Sequence, residues 1–375
     1  MSSEHLWSRT PLIESEPLSK IAGCKIFLKL ENFQPSGSFK YRGISNLMQS
    51  ATHGKSSSEL TNLHYYCSSG GNAGIACATA AKAWDYPVTV VVPTATSPFM
   101  VAKLQALGAD VHRVGASWVD ADRHLRENLL SKDQHGVYVP PFDNPIIWEG
   151  ASSMLEEVYE QMPDDGTFDG VVCSVGGGSL LTGIMMAMER HPRKDWKIPR
   201  VLAVETQGAD SLNASLRGKK HIALPEITSI ATSLGVVRVA SRAYELAQLP
   251  NVDSFVLSDA EAAMAAVKFA EDEDMLVEIS CGAGLAAVYN GALRHSMGRN
   301  MSDEEWREKK VVVAVCGGSD VTTRLLDEYR ERFSASVPWA SSERVVIPEI
   351  PASASRPMDF MTRTPVRRPT ISICV

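Results

Sequence analysis

At 375 residues the chain exceeds the roughly 250–300 residues that one hydrophobic core organises, so two packed lobes are expected. Hydrophobic residues at 44% and charged residues at 22% exclude a fibre or a disordered chain. A formal net charge of −7, with no basic face before the tail, excludes a nucleic-acid surface and leaves small molecules as the expected partners.

Seven cysteines (Cys24, Cys67, Cys77, Cys173, Cys281, Cys316 and Cys374) are odd in number, scattered and free of any CxxC pair. That pattern predicts reduced thiols and not a disulfide framework or a structural zinc site. The longest apolar runs, such as Val88 to Val92 and Val311 to Cys316, fall far below the ~18 residues of a membrane helix, so no membrane span is expected. The N-terminus has neither an apolar signal core nor an Arg-rich transit character, which makes the cytoplasm the expected compartment.

In chain order, Ile26 to Glu31 alternates in polarity and reads as a strand. It runs into Pro35-Ser36-Gly37-Ser38-Phe39-Lys40-Tyr41-Arg42-Gly43, a Gly/Ser turn that leads to a helix over 41–49. Lys40 is here either a surface lysine opening a helix or an amine whose pKa falls through desolvation beside Phe39, as a Schiff-base nucleophile requires. Gly54 to Thr61 is polar and reads as a loop. His64 to Cys67 reads as a strand, followed by Ser68-Ser69-Gly70-Gly71-Asn72-Ala73-Gly74 and a helix over 75–84. Such a turn is either a plain βα connection or an anion site at a helix N-terminus.

Val88 to Val92 and Val111 to Val114 read as strands, each followed by a helix, up to Leu107 and over 118–130. This alternation predicts an α/β fold with mostly parallel sheets flanked by helices. Three prolines, Pro140, Pro141 and Pro145, forbid a helix through the next segment, where the chain is expected to return from the small lobe; Ile146 to Gly150 then leads into a helix over 152–161.

Val171 to Val175 is a buried-type strand that meets Gly176-Gly177-Gly178-Ser179 and a helix over 180–189. No Gly-Lys-Ser/Thr closes this loop, and it is not GxGxxG, because the last position is Leu181. It is either a ligand-free turn or a cradle of amides for a phosphate smaller than a nucleotide. Val201 to Glu205 ends in a carboxylate at a strand's C-terminal edge, either solvated or facing a ligand. Ser258 to Glu261 matches a capping box and opens a helix to Glu273. Val277 to Gly284 reads as a strand and a small-residue turn before a helix over 285–295. Val311 to Cys316 is a last strand, with Cys316 either core packing or aimed into a site. From Ser334 the composition predicts a poorly ordered tail.

A lysine turn, an Asn-bearing turn, a triple-glycine loop and a Gly-Gly-Ser strand end match what pyridoxal phosphate needs from a protein. On Ser36-Gly37-Ser38-Phe39-Lys40-Tyr41-Arg42-Gly43, Ser68 to Gly74, Pro140-Pro141-Phe142-Asp143 with Ile147-Trp148-Glu149-Gly150, Ser174 to Gly178, and Cys316-Gly317-Gly318-Ser319, the chain resembles the serine/threonine dehydratase family. This is the tryptophan-synthase-β-like family of fold type II, and the L-serine ammonia-lyase branch is the nearest in pattern. The resemblance spans Leu6 to Phe333. It implies a large lobe of residues 1–41 and 143–333, a small lobe of 42–142 and a tail of 334–375.

It also implies pyridoxal 5'-phosphate bound by Phe39, Lys40, Asn72, Gly176, Gly177, Gly178, Ser179 and Cys316, with Lys40 as the Schiff-base lysine and proton carrier. Substrate contacts fall to Ser69, Gly71, Asn72, Ala73 and Phe142, and a potassium site to Glu205, Ala209, Leu234 and Val236. A homodimer is implied as well. The activity so implied is elimination of ammonia from L-serine and L-threonine; threonine-specific deamination, β-replacement and racemisation are the alternatives on the same scaffold. The chain departs from the family at Ala151, where histidine is usual, at Ile279, where proline is usual, and at Asp320, where asparagine is common. The first two are expected near the substrate cleft.

Overall fold

Two sheets organise the chain in the computed structural model, which describes residues 5–163, 166–191 and 198–340, all within the unit Met1–Val345. β1 (Leu12–Ser15) returns through α1 (Glu16–Ala22) to pair antiparallel with β2 (Lys25–Leu30). After β2, α2 (Lys40–Ser50) and α3 (Ser57–Thr61) lead to β3 (His64–Cys67). Three crossovers follow: α4 (Asn72–Trp84) to β4 (Val88–Val92), α5 (Pro98–Ala106) to β5 (Asp110–Arg113), and α6 (Trp118–His124) to β6 (Gly136–Tyr138). These four strands form a parallel sheet in the order β5-β4-β3-β6.

The chain then runs through α7 (Pro145–Gln161), β7 (Gly170–Ser174), α8 (Ser179–Arg190), β8 (Arg200–Thr206), α9 (Ser211–Arg217), α10 (Ser241–Leu246) and β9 (Val252–Leu257). α11 (Asp259–Glu273), α12 (Ile279–Tyr289), α13 (Ala292–Met297) and α14 (Asp303–Arg307) precede β10 (Lys310–Val315), and α15 (Thr323–Phe333) follows it. The six-stranded sheet has the order β1-β2-β10-β7-β8-β9 and is parallel apart from β1. β10 inserts between β2 and β7, pairing Val311 with Ile26 and with Gly170. The turns after β2, β10, β7 and β8 therefore collect at one edge of the sheet, where open α/β folds place ligands.

Burial explains both the successes and the failures of pattern reading. β4 and β7 are buried along their whole length, as continuous β-branched runs predict. β2 reads as an alternating strand, yet Lys29 is fully buried: its Nζ donates to Glu157 Oε2 at 2.6 Å, Gln161 Oε1 at 2.7 Å and the Thr10 carbonyl at 2.9 Å. Pro145, read as a breaker, instead takes the first position of α7, where its missing N–H costs nothing, and Asn144 caps the helix by accepting from the Ile146 N–H. The helix thus starts earlier than 152.

Four further expectations are corrected. Val277 to Gly284 is no strand: Ile279–Tyr289 is helix α12, because its small residues pack against α11 on one side and β10 on the other. The expected helix over 285–295 is accordingly divided between α12 and α13. Within the expected loop 54–61, Ser57–Thr61 is a helical turn held by a Ser56/Glu59 capping box. Within the tail expected to be poorly ordered, Trp339 stacks on Tyr289 with ring centroids 5.6 Å apart, and Val337 and Ala340 are buried. The rest of the tail, like Cys374, lies outside the described residues. The capping box at Ser258 and Glu261 forms as read.

Candidate active site

The lysine turn is folded by the last strand. Gly37, at φ 77°, donates to the Gln34 carbonyl at 2.7 Å and its own carbonyl accepts from the Gly318 N–H at 2.9 Å. The Phe39 N–H donates to the Cys316 carbonyl at 3.1 Å. Residue 40, the first of α2, is thereby fixed against the C-terminal end of β10. The Lys40 Nζ donates to the Pro141 carbonyl at 3.0 Å and to Ser179 Oγ at 3.4 Å. It sits 5.2 Å from the centre of the Phe39 ring and 6.0 Å from that of Phe142. Burial lowers its pKa to about 8, against the opposing pull of Cys316, Cys67 and Glu278.

Ser179 opens α8, so the lysine and the triple-glycine loop meet at one point. The N–H groups of Gly176, Gly177 and Gly178 have no acceptor among the described residues. Three unpaired donors converging on a helix N-terminus form an anion cradle. The glycines are required by space as well: a Cβ on Gly177 would fall 2.2 Å from Cγ of Phe142, and Gly178 has φ 87° with Ala243 Cβ 2.4 Å from the place its own Cβ would take.

Asn72 opens α4 at the end of the Ser68–Gly71 turn. Its Oδ1 accepts from the Ser319 N–H at 3.0 Å and from Ser319 Oγ at 2.7 Å, while its Nδ2 donates to Glu278 Oε1 at 2.7 Å and to Ser233 Oγ at 3.3 Å. In the same turn the Gly71 N–H donates to Ser69 Oγ at 3.3 Å, and Ala73 is buried. Cys316 is buried, and the neighbouring Cys281 thiol together with burial holds its pKa well above the ordinary thiol value, so it remains S–H.

The residues expected to hold a cation lie on β8 and in the segments that follow it. Glu205 is fully buried and its two oxygens accept from the Leu212 N–H at 2.8 Å and the Asn213 N–H at 2.7 Å, at the start of α9. Burial raises its pKa to about 8. Ala209 is buried; Leu234 lies against Gly176, and its carbonyl accepts from the Val236 N–H at 2.7 Å. Among the described residues no group of three or more His, Cys, Asp or Glu is placed to hold a metal ion.

Known proteins similar to this chain identify its family. Residues 4–317 match the family described as "Pyridoxal-phosphate dependent enzyme". The human protein named "Serine dehydratase-like" is 42% identical over 84% of this chain and 92% of its own length. The "Catabolic L-serine/threonine dehydratase" of Saccharomyces cerevisiae is 40% identical over 86% of this chain and 90% of its own. The solved structure of a fungal L-serine ammonia-lyase from Rhizomucor miehei superimposes with a TM-score of 0.79 at 36% identity, covering 88% of this chain and all of that one. The chain belongs to the pyridoxal-phosphate-dependent enzymes.

A pyridoxal-phosphate enzyme of fold type II needs an amine, a phosphate cradle and a polar partner for the cofactor's ring oxygen, and this site fits the cofactor. Lys40 has a depressed pKa, three loop amides are unpaired, and the Asn72 amide is clamped beside them. The sequence left Glu278, Ser319 and Ser233 unassigned. Ser319 was legible as part of a glycine-rich strand end, whereas Glu278 was hidden in a segment read as a strand.

The departures can also be placed. Ala151 is buried where α7 crosses α8, since a Cβ on Gly183 would lie 2.8 Å from that of Ala151. Ile279 takes the first position of α12, where proline would serve equally. Asp320 is exposed, and its charge acts on Glu278 and Lys103.

The cradle yields a direct expectation for Gly177→Ala. The added methyl must displace the Phe142 ring, an overpacking that costs about 1–3 kcal/mol. Pyridoxal phosphate should then bind about tenfold or more weakly with unchanged circular dichroism, measured by fluorescence titration.

Proposed function

We propose that this pyridoxal-phosphate enzyme removes ammonia from L-serine, giving pyruvate, and from L-threonine, giving 2-oxobutanoate. The observation that carries the reading is the Lys40 amine, its pKa lowered to about 8, held between the Pro141 carbonyl and Ser179 at the mouth of an unpaired amide cradle. When bound, pyridoxal phosphate supplies an aldehyde for the substrate's amino group and a ring that draws electron density from Cα.

The chain's own groups do the rest. Gly176, Gly177, Gly178 and Ser179 hold the phosphate, and Asn72 holds the ring oxygen. Ser69, Gly71 and Ala73, at the start of α4, hold the substrate carboxylate, with Asn72 and the Phe142 ring completing the pocket. Lys40 takes the proton from Cα, and Phe39 and Phe142 keep water from its amine. The hydroxyl leaves Cβ with a proton as water, and the enamine released hydrolyses to the oxo acid and ammonia. Cys316, as an S–H facing the ring nitrogen, brings no negative charge to keep that nitrogen protonated, which favours elimination over transamination.

The supporting pattern extends further. The two sheets suit lobes of residues 1–41 with 143–333 and of 42–142. A potassium ion bound by Glu205 and by backbone oxygens of Ala209, Leu234 and Val236 would favour the ionised form of a carboxyl group whose pKa burial otherwise raises to about 8 and whose hydrogen bonds include no cation. The six described cysteines are free and buried, in keeping with the cytoplasm, and a homodimer would measure twice the 40.8 kDa chain.

The test is oxo-acid formation by the cofactor-loaded protein from L-serine, L-threonine and D-serine, in potassium and in sodium buffers. Pyruvate and 2-oxobutanoate are expected from the L-amino acids, faster in potassium. The rate should rise with pH and level off above about 8, as Lys40 loses its proton. Absence of oxo acid from all three would overturn the reading.

A further inference from the structure

One carboxylate in the site does work that the reaction as derived does not use. Glu278 stands at the cap of α12 without capping it, since its side chain accepts no hydrogen bond from that helix. It is 4% exposed, and it reaches across to α4, where Oε1 accepts from Asn72 Nδ2 at 2.7 Å. The orientation of that amide is settled by its other end: the Ser319 backbone N–H can only donate, so the atom facing it must be Oδ1. Rotated by half a turn, Asn72 would set NH2 against N–H at Ser319 and oxygen against oxygen at Glu278. The acceptor at 278 thus completes a clamp with one allowed state.

Two more observations separate this role from mere packing. Glu278 Oε2 is buried and finds no hydrogen bond of full geometry, and the Ser233 hydroxyl and the Asp320 N–H only partly offset that cost, which an apolar side chain would avoid. Gly318, beside the strand end that carries Cys316, has no room for a Cβ, which would fall 2.1 Å from Cγ and Cδ of Glu278. The carboxylate is therefore seated between the loop after β10 and the helix that begins with Asn72, near enough to Lys40 for its charge to act on that amine.

We propose that Glu278 is a positioning residue for the cofactor, holding the Asn72 amide so that its N–H is presented to the ring oxygen of pyridoxal phosphate. The inference rests on the reading that Asn72 contacts that oxygen. It requires that Glu278 act through Asn72 and not beside it.

The test is a double-mutant cycle on cofactor affinity and on the visible spectrum of the bound cofactor. Glu278→Leu is expected to raise the Kd for pyridoxal phosphate about tenfold and to shift the absorption band. Glu278→Gln, which keeps an oxygen acceptor for Asn72, should restore both. In an Asn72→Ala background Glu278→Leu should add nothing further. Ser319→Ala removes the side-chain donor on the Oδ1 side of the clamp and keeps the test open if the leucine variant does not fold; a several-fold rise in Kd is expected, again absent beside Asn72→Ala.

Unchanged affinity and spectrum in these variants, or effects that add in the double variants, would overturn the proposal. Failure of the wild-type protein to bind pyridoxal phosphate would instead overturn the functional reading on which it rests.

Discussion

Lys40→Ala is expected to abolish oxo-acid formation while leaving the unloaded protein at least as stable as wild type. The rate loss should be on the order of 10⁴-fold or more, because in the proposed role proton transfer by a positioned base alone supplies about 10²–10⁴-fold and the amine proposed to anchor the cofactor goes with it. The stability expectation follows from the direction of the pKa shift. The folded value, about 8, lies below the ordinary 10.5, so at neutral pH the folded chain carries a charge that burial disfavours. That penalty is complete below pH 8 and disappears as pH rises from 8 to 10.5. Thermal melts of the unloaded variant at pH 7 and near pH 10 check this: any gain over wild type should be larger at pH 7. A variant that keeps turnover would remove Lys40 from the mechanism.

Arg42→Ala is expected to be the most damaging substitution for the fold. The guanidinium is fully buried two residues after Lys40, donating from Nε to Glu31 Oε2 at 2.7 Å and from Nη1 to Glu157 Oε1 at 2.6 Å. Nη2 reaches the remaining oxygens of both carboxylates at 2.8 Å. Burial works against its charge, and the two carboxylates more than reverse the effect. Removing it leaves Glu31 and Glu157 with only Lys29 as a counter-charge, and breaking a buried pair in this way costs about 3–5 kcal/mol. Urea unfolding should show a lower midpoint with an unchanged slope. An effect within about 0.5 kcal/mol, as at an ordinary surface site, would show the network to be dispensable.

The cluster also joins β2, α2 and α7. It holds the start of α2 in place, and Lys40 is the first residue of that helix.

How far the sequence reached differs between fold and site. Val88 to Val92 and Val171 to Cys173 announce buried parallel strands because short runs rich in valine, with no charged residue, suit a strand covered on both faces. The same rule fails for Lys29: period-2 alternation assumes a wet face, and here that face is covered by α7, whose Glu157 and Gln161 accept the ammonium. The helical start of Ile279–Tyr289 escaped because its first turns are Ile279, Ser280, Cys281, Gly282 and Gly284, all poorer helix formers than alanine, and packing between α11 and the sheet decides their state.

By itself the sequence determined the components of the site: an amine beside Phe39, a loop of three glycines, a turn ending in Asn72 and a thiol at a strand end. Each is a local pattern, since a turn's glycines or a helix's first residue depend on neighbours in the chain. What only the tertiary structure decided is their conjunction. Phe142 faces Gly177, Ser319 and Glu278 clamp Asn72 from more than 200 positions away, and Pro141 and Ser179 hold the Lys40 amine. Such contacts arise from strand order, above all from the insertion of β10 between β2 and β7, and burial of the assembled edge then lowers the Lys40 pKa. Desolvation belongs to a place in the fold, and no stretch of residues carries it alone.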